Sequence, residues 1–198
     1  MKTAVYGGTF NPLTPAHAMI IEYLAKRFDK VTIVPTTVNW YRKEESDDEL
    51  SFGFDDRCEI IRAWLSDKEL DNVKLSYIDS ELDENHGFSD TLLKLKENAE
   101  GEFVVVIGAD SYNNLHNWRR YQTILNEASI LVINRPGYKV ENENLDITPE
   151  VVELDMNISA TNIRKDLKKI LKIINEYPFF EYYMEGMGDL IFPEKEEE

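Results

Sequence analysis

The sequence predicts a doubly wound α/β domain, in which helices cover both faces of one parallel sheet. Apolar runs rich in β-branched residues recur along the 198 residues, and amphipathic helical segments alternate with them. These runs are continuous rather than alternately apolar and polar, as expected of strands buried on both faces. With 42% hydrophobic residues the chain can bury one substantial core. We therefore expect a single domain over residues 1–190 and an acidic, frayed tail at 191–198.

The individual elements follow from local pattern. The predicted strands are short apolar runs: KTAVYG (2–7), KVTIVP (30–35), NVKLSYI (72–78), EFVVVIGAD (102–110), SILVINRPGY (129–138) and an extended EVVELD (150–155). The predicted helices have apolar residues at spacings of three and four: 17–28, 52–66, 88–99, 111–128 and a small C-terminal helical piece at about 160–185. The segment 36–50 has no usable period and is long for a strand-to-helix connection, which is typical of functional loops.

Composition excludes several classes of partner. The net charge of -16 opposes a general affinity for nucleic acid or for an anionic membrane surface, because both require a positive footprint. No apolar run is long enough to span a bilayer, and no basic segment leads into a hydrophobic stretch at the N-terminus. The single cysteine, Cys58, excludes an intramolecular disulfide and is expected to be a buried thiol. We expect a cytoplasmic protein, with assembly into a homo-oligomer left open.

The chemistry is expected where the predicted strands end. Ligands of open parallel sheets bind outside the carboxyl ends of the strands, near the point where strand order reverses. Neither G-x-G-x-x-G nor G-x-x-x-x-G-K-[ST] is present, which argues against a dehydrogenase and against a P-loop enzyme. Instead, Gly7 and Gly8 precede a turn, and His17 lies where a helix begins. Such a histidine can donate to a phosphate oxygen, or it can merely cap its own helix.

Two motifs resemble those of the nucleotidyltransferase superfamily. GGTFNPLTPAH (7–17) is similar to the first signature, G-G-T-F-D-P-x-[HT]-x-G-H, and ISATNIRK (158–165) is similar to the second, I-S-S-T-x-I-R. Within that superfamily, GADSYNNLHNWRRYQTIL (108–125), INRPGY (133–138) and DDRCEIIRAW (55–64) resemble the bacterial nicotinate-nucleotide adenylyltransferases. The resemblance implies a Rossmann-like fold and transfer of the adenylyl group of ATP to nicotinate mononucleotide, which gives deamido-NAD and pyrophosphate.

The same resemblance implies roles for individual residues. The residues implied as catalytic are His17, which would hold the α-phosphate, Thr14, which would assist it, and Arg164. The implied ATP-binding set comprises Gly8, Thr9, Phe10, His17, Lys43, Ser159, Thr161 and Arg164. The implied acceptor-binding set comprises Asp110 near the sugar, Trp118 as a stacking surface for the pyridine, Thr91 and Arg135. Mg²⁺ held mainly by ATP phosphates and water would supply most of the positive charge that this acidic protein lacks.

Several positions depart from the family pattern. Asn11, Thr14, Ala16 and Ala160 stand for Asp, His, Gly and Ser, and Gly87-Phe88 replaces an aromatic–threonine pair before the DTL tripeptide. His86 and His116 have no partner at metal-ligand spacing, so neither is predicted to bind zinc. Two alternatives stay open. One is another transferase of the superfamily, with phosphopantetheine or an alcohol phosphate as acceptor, and the other is a non-catalytic nucleotide-binding regulator.

Overall fold

A computed structural model of the protein describes residues 1–37, 52–97, 99–135, 138–154, 163 and 165–168. Their strands form one parallel sheet with the order β3-β2-β1-β4-β5-β6. The strands are β1 (Lys2–Gly8), β2 (Lys30–Pro35), β3 (Val73–Leu75), β4 (Glu102–Gly108), β5 (Ser129–Asn134) and β6 (Glu150–Glu153). This order confirms the predicted doubly wound class, because the chain runs from β1 to one edge and then returns to build the other half.

Helices cover both faces of the sheet. They are α1 (Pro15–Arg27), α2 (Phe54–Ser66), α3 (Phe88–Lys96), α4 (Ala109–Asn113) and α5 (Tyr121–Glu127), with 3-10 turns at Ile78–Glu81 and Leu115–Asn117. One core joins α1 and α2 to the sheet through buried Ile21 and Ile61. A second core on the opposite face includes Leu92 of α3 and Ile124 of α5. The free thiol of Cys58 is buried, as predicted.

The region predicted as one helix over 111–128 is broken in two. The first helix, α4, begins at Ala109, so Asp110 is helical rather than part of the preceding strand. Trp118 is extended and Arg120 has a left-handed φ of 50°, after which α5 begins at Tyr121. Asparagines account for much of this break because their amides compete for backbone groups, and the Asn114 side chain donates to the carbonyl of Asp110.

Part of the predicted architecture lies outside the described residues. This applies to the acidic tail, to most of the segment 36–50 and to nearly all of the C-terminal helical piece. The predicted strand at 72–78 is shorter in the structure, where β3 ends at Leu75 and a 3-10 turn begins at Ile78. None of the helices in the described ranges is long and apolar enough to cross a membrane.

The topology places a crevice between β1 and β4. These strands are neighbours in the sheet, with Tyr6 opposite Val106, but the chain leaves them toward opposite edges. Their carboxyl ends therefore open at the point where strand order reverses. Both α1 and α4 begin at this edge, so the N-termini of two helices face the region just beyond Gly8 and Gly108.

Candidate active site

A cavity of about 190 Å³ lies at the carboxyl ends of β1, β4 and β5. Five of the predicted catalytic or binding residues line it: Gly8, Phe10, Thr14, His17 and Arg135. Tyr6, Ala16 and Gly108 also contribute to its wall. The first signature lies before α1 and in its first turn. At the cavity it meets the strand-end residues Gly108 and Arg135, which are distant in sequence.

Thr14 and His17 form a reciprocal cap at the start of α1. The backbone N–H of Thr14 donates to Nδ1 of His17 over 3.0 Å, and the Thr14 hydroxyl lies 3.0 Å from the same nitrogen. In return, the His17 N–H donates to Oγ1 of Thr14 over 3.4 Å. Pro15, whose fixed φ suits the first helical position, completes this start. His17 therefore does cap its own helix, and the cap also orients its ring.

The cap assigns the tautomer of His17. A nitrogen that accepts a hydrogen bond from a backbone amide carries no proton, so the proton of the neutral ring is on Nε2. Burial and the nearby charge of Arg135 lower the pKa of His17 to about 4. At neutral pH the side chain is thus an uncharged N–H donor on the wall of the cavity. Such a donor can bind a phosphate oxygen without protonating it.

Phe10 shapes the turn between the two glycines and α1. Its φ of 46° lies in the left-handed region, which residues with a side chain seldom adopt. The buried ring makes edge-to-face contacts with Tyr6, at a centroid distance of 5.2 Å, and with His17, at 5.1 Å. A Cβ on Gly8 would lie only 3.2 Å from this ring. Aromatic packing thus offsets the unfavourable backbone conformation and keeps the turn close to the cavity.

Arg57 supports this edge of the sheet, although the sequence did not single out its role. It is only 4% exposed. Its guanidinium donates to the carbonyl of Thr9 and, over 2.9 Å, to the carbonyl of Thr36, so it joins the turns that follow β1 and β2. The sequence pattern could have identified Arg57 as a buried arginine. It lies four residues before Ile61 on the apolar face of α2, where a lone arginine is unexpected.

The predicted acceptor-binding residues do not all lie together. Arg135 is exposed and lines the cavity, whereas Asp110 is exposed in the first turn of α4. Trp118 is half-buried and meets Phe88 edge to face at a centroid distance of 5.8 Å. Within the described part of the chain, its Nε1 has no hydrogen-bond partner. Thr91 is fully buried and donates its hydroxyl to Asp79, so it is absent from the cavity wall.

The remaining predicted residues are outside the described ranges. They are Lys43, Ser159, Thr161 and Arg164, together with the departure at Ala160. Their implied contacts with ATP phosphates stay predictions. Among the described residues, no group of three histidine, cysteine or acidic side chains could hold a metal ion. The described residues that line the cavity include no carboxylate.

Comparisons with known proteins agree with this architecture. Residues 5–166 match the cytidylyltransferase-like family. The chain is 33% identical over 178 residues to a "probable nicotinate-nucleotide adenylyltransferase" of Fusobacterium nucleatum, an alignment that covers 85% of this chain and 88% of that protein. A protein of the same name from Flavobacterium johnsoniae is 30% identical over 175 residues, with the same coverage of both chains.

Solved structures share the fold. The nicotinic acid mononucleotide adenylyltransferase of Plasmodium falciparum, complexed with NaAD, superposes with a TM-score of 0.65 at 18% identity and covers 91% of this chain and 97% of its own. The same parasite enzyme complexed with APC gives a TM-score of 0.62, also at 18% identity and with the same coverage. The family match, the parallel sheet and the relatives at 30% identity or more all indicate the same family. This chain belongs to the cytidylyltransferase-like family of nucleotidyltransferases, in the group whose curated members are nicotinate-nucleotide adenylyltransferases.

Proposed function

We propose that this protein transfers the adenylyl group of ATP to nicotinate mononucleotide, forming deamido-NAD and pyrophosphate in NAD biosynthesis. The observation that carries the proposal is the cavity at the β1–β4 switch point, whose wall combines Gly8, His17 and Arg135. A glycine turn, a neutral donor at a helix start and one cation suit a phosphate-bearing ligand. The relatives at 30% and 33% identity carry the name of this activity, which supports the choice of substrates.

The reaction requires alignment more than it requires a reactive side chain. A phosphate oxygen of the mononucleotide attacks the α-phosphorus of ATP, and the bond from that phosphorus to the bridging oxygen breaks, so that pyrophosphate leaves. The acceptor is its own nucleophile, and the protein must hold two polyanions in line. In this proposal Nε2–H of His17 donates to the α-phosphate as charge develops there, and Thr14 keeps the ring in place.

A divalent cation fits this proposal as part of the substrate complex. Among the described residues that line the cavity there is no carboxylate, and Arg135 is the one cation. A Mg²⁺ ion would thus take its oxygen ligands mainly from ATP phosphates and water, a common arrangement for this ion. When bound, it neutralises phosphate charge. The residues of this chain would meanwhile orient the α-phosphate through His17 and attract the polyanions through Arg135.

Pyrophosphate release tests the proposal directly. The protein is incubated with Mg-ATP and nicotinate mononucleotide, and in parallel with Mg-ATP and phosphopantetheine or with Mg-CTP and an alcohol phosphate. Turnover only in the first reaction supports the proposal. Turnover only with another acceptor would retain the family and reassign the substrate, whereas nucleotide binding without turnover in any arm would favour the regulator.

A further inference from the structure

A buried ion pair lies next to Thr91, one of the residues predicted to bind the acceptor. Asp79, in the 3-10 turn Ile78–Glu81, is 3% exposed, and His86 is 7% exposed. Nε2 of His86 lies 2.9 Å from Oδ1 of Asp79, and Nδ1 lies 2.6 Å from the carbonyl oxygen of Asp83. A carboxylate and a carbonyl both accept hydrogen bonds, so the two ring nitrogens both donate. His86 is therefore an imidazolium in this arrangement.

Asp79 also binds two threonines from other elements. Its Oδ2 accepts from the backbone N–H of Thr37 over 2.7 Å and from the Thr37 hydroxyl over 2.9 Å. Its Oδ1 accepts from the hydroxyl of Thr91 over 3.0 Å. A single carboxylate with four donors thus joins the end of β2 to α3. His86 supplies the only positive charge among these four donors.

The segments held by Asp79 pack against Gly7 and Gly8, which line the cavity. The N–H of Thr36, the residue before Thr37, donates to the carbonyl of Gly8 over 2.9 Å. This bond joins the end of β2 to the glycine turn. On the other side, α3 begins with Phe88. A Cβ on Gly7 would come within 2.6 Å of the Phe88 ring, and the same ring contacts Trp118. Any shift of α3 would move Phe88 relative to Trp118, which is predicted to stack on the pyridine.

We propose that Asp79 and His86 are a positioning pair for the acceptor half of the crevice: the charged imidazole orients the Asp79 carboxylate, which holds Thr37 and α3 in place. Neither residue lines the cavity, so the pair acts through its neighbours. The assignment rests on the proposed function, since it names the mononucleotide as the ligand affected. ATP binding should depend less on the pair, because the donors to Asp79 come from Thr37, Thr91 and His86, none of which is predicted to bind ATP.

The charges around His86 set the direction of its pH dependence. Burial lowers its pKa, but the hydrogen bonds to Asp83 and Asp79 and the charges of both carboxylates outweigh burial and raise the pKa above 6.5. The cation Arg57 acts on Asp79 from α2. Two further cations approach from the segment before α5, where Arg119 donates to the carbonyl of Asn85 and Arg120 pairs with Asp90. The pair is thus intact at pH 6 and lost as the pH rises through the raised pKa.

The His86→Gln variant tests the pair, because its amide can donate to Asp79 without carrying a charge. The readouts are KM for nicotinate mononucleotide and KM for ATP between pH 6 and pH 9. Since substrate phosphates also titrate, each value is expressed as the ratio of variant to wild type. At pH 6 we expect a ratio of about three to ten for the mononucleotide, as a charge-assisted bond becomes a neutral one. This ratio should fall toward one as the pH rises, and the ratio for ATP should stay near one throughout.

A second pair of variants addresses the same network without touching the histidine. Thr37→Val removes the hydroxyl donor to Asp79 at nearly constant volume, and Thr37→Ser keeps it. We expect the valine variant to raise KM for the mononucleotide alone and the serine variant to restore it. Ratios independent of pH, or equal effects on both substrates, would overturn the positioning role while leaving the proposed function intact. A wild-type protein without turnover on this acceptor would overturn the proposed function, and this assignment with it.

Discussion

Thr14 and His17 hold each other at the start of α1: the backbone N–H of Thr14 donates to Nδ1 of His17, and the His17 N–H donates to Oγ1 of Thr14. This exchange satisfies two amides that the first turn of a helix leaves without partners. It also fixes the imidazole so that Nε2 carries the proton. One side chain thereby serves both the helix and the proposed phosphate site, and variants can separate the two roles.

His17→Asn separates capping from donation. An asparagine oxygen can still accept from the Thr14 N–H near the position of Nδ1, but no donor remains near the position of Nε2. We expect turnover to fall about a hundredfold to a thousandfold, as for other donors to developing charge. His17→Ala should lose a similar amount of turnover and also about 0.5–1.5 kcal/mol of stability, since the Thr14 N–H loses its acceptor. Steady-state kinetics measures turnover, and urea unfolding measures stability. Near-normal turnover of the asparagine variant would leave His17 with the capping role alone.

The pKa of His17 predicts a pH-dependent contribution to stability. The value in the folded protein is lowered from 6.5 to about 4, so between these values the unfolded chain binds a proton that the folded protein does not. Stability from this group is complete above pH 6.5 and declines as the pH falls toward 4. Urea unfolding should show a larger advantage of wild type over His17→Asn at pH 7.5 than at pH 5. An advantage independent of pH would contradict the lowered pKa.

Arg57→Met should destabilise the protein without changing the cavity wall directly. The carbonyls of Thr9 and Thr36, both in half-buried residues, would lose a charged donor, and a hydrogen bond to a charged group contributes about 1.5–3 kcal/mol. Arg62→Met is the matched control on the same helix, because the Arg62 side chain is 58% exposed and should change stability by about 0.5 kcal/mol or less. Similar losses in both variants would show that the two hydrogen bonds of Arg57 contribute little.

Ala16→Gly tests the departure from the glycine of the first signature. Ala16 lines the cavity, and removal of its methyl group should let a nucleotide approach the backbone more closely. We expect a lower KM for ATP, accompanied by a loss of up to about 1 kcal/mol in stability from glycine within a helix. Ala18→Gly is the control: it lies in the same helix and is buried, but it does not line the cavity. Its KM for ATP should stay unchanged. A KM for ATP that Ala16→Gly leaves unchanged or raises would contradict a role of this methyl group in limiting nucleotide approach.

Acceptor selectivity depends on what surrounds the pyridine substituent. We expect a preference for nicotinate over nicotinamide mononucleotide, smaller than is usual in the family because Phe88 offers no hydroxyl. Phe88→Thr should increase this preference, whereas Phe88→Leu, which also shortens the side chain but adds no donor, should not. The measurement is kcat/KM for both mononucleotides. Equal values for the wild type, or a preference for the amide, would overturn the acid assignment and leave adenylyl transfer intact.

Hydrophobic pattern and two short motifs were sufficient to predict the parallel sheet, the order of most elements and the family. Continuous apolar strands such as β4 and β5 can be buried only inside a sheet covered on both faces, so their class follows from local composition. The first signature likewise indicated Gly8, Thr14 and His17, because a glycine turn and a helix start have local sequence requirements. The break near Trp118 was missed, since apolar spacing continues across asparagines whose side chains disrupt the helix.

Other features depend on residues far apart in the chain. Nothing near Asp79 in sequence indicates that its carboxylate accepts from Thr37 and Thr91, which are 42 and 12 residues away. Nor does the sequence show that Arg57 joins the turns after two different strands, or that burial and Arg135 keep His17 neutral. Charge, tautomer and hydrogen-bond partner are set by the local dielectric and by three-dimensional neighbours. The sequence determined which side chains are available for the chemistry, and only the tertiary structure decided their protonation and their partners.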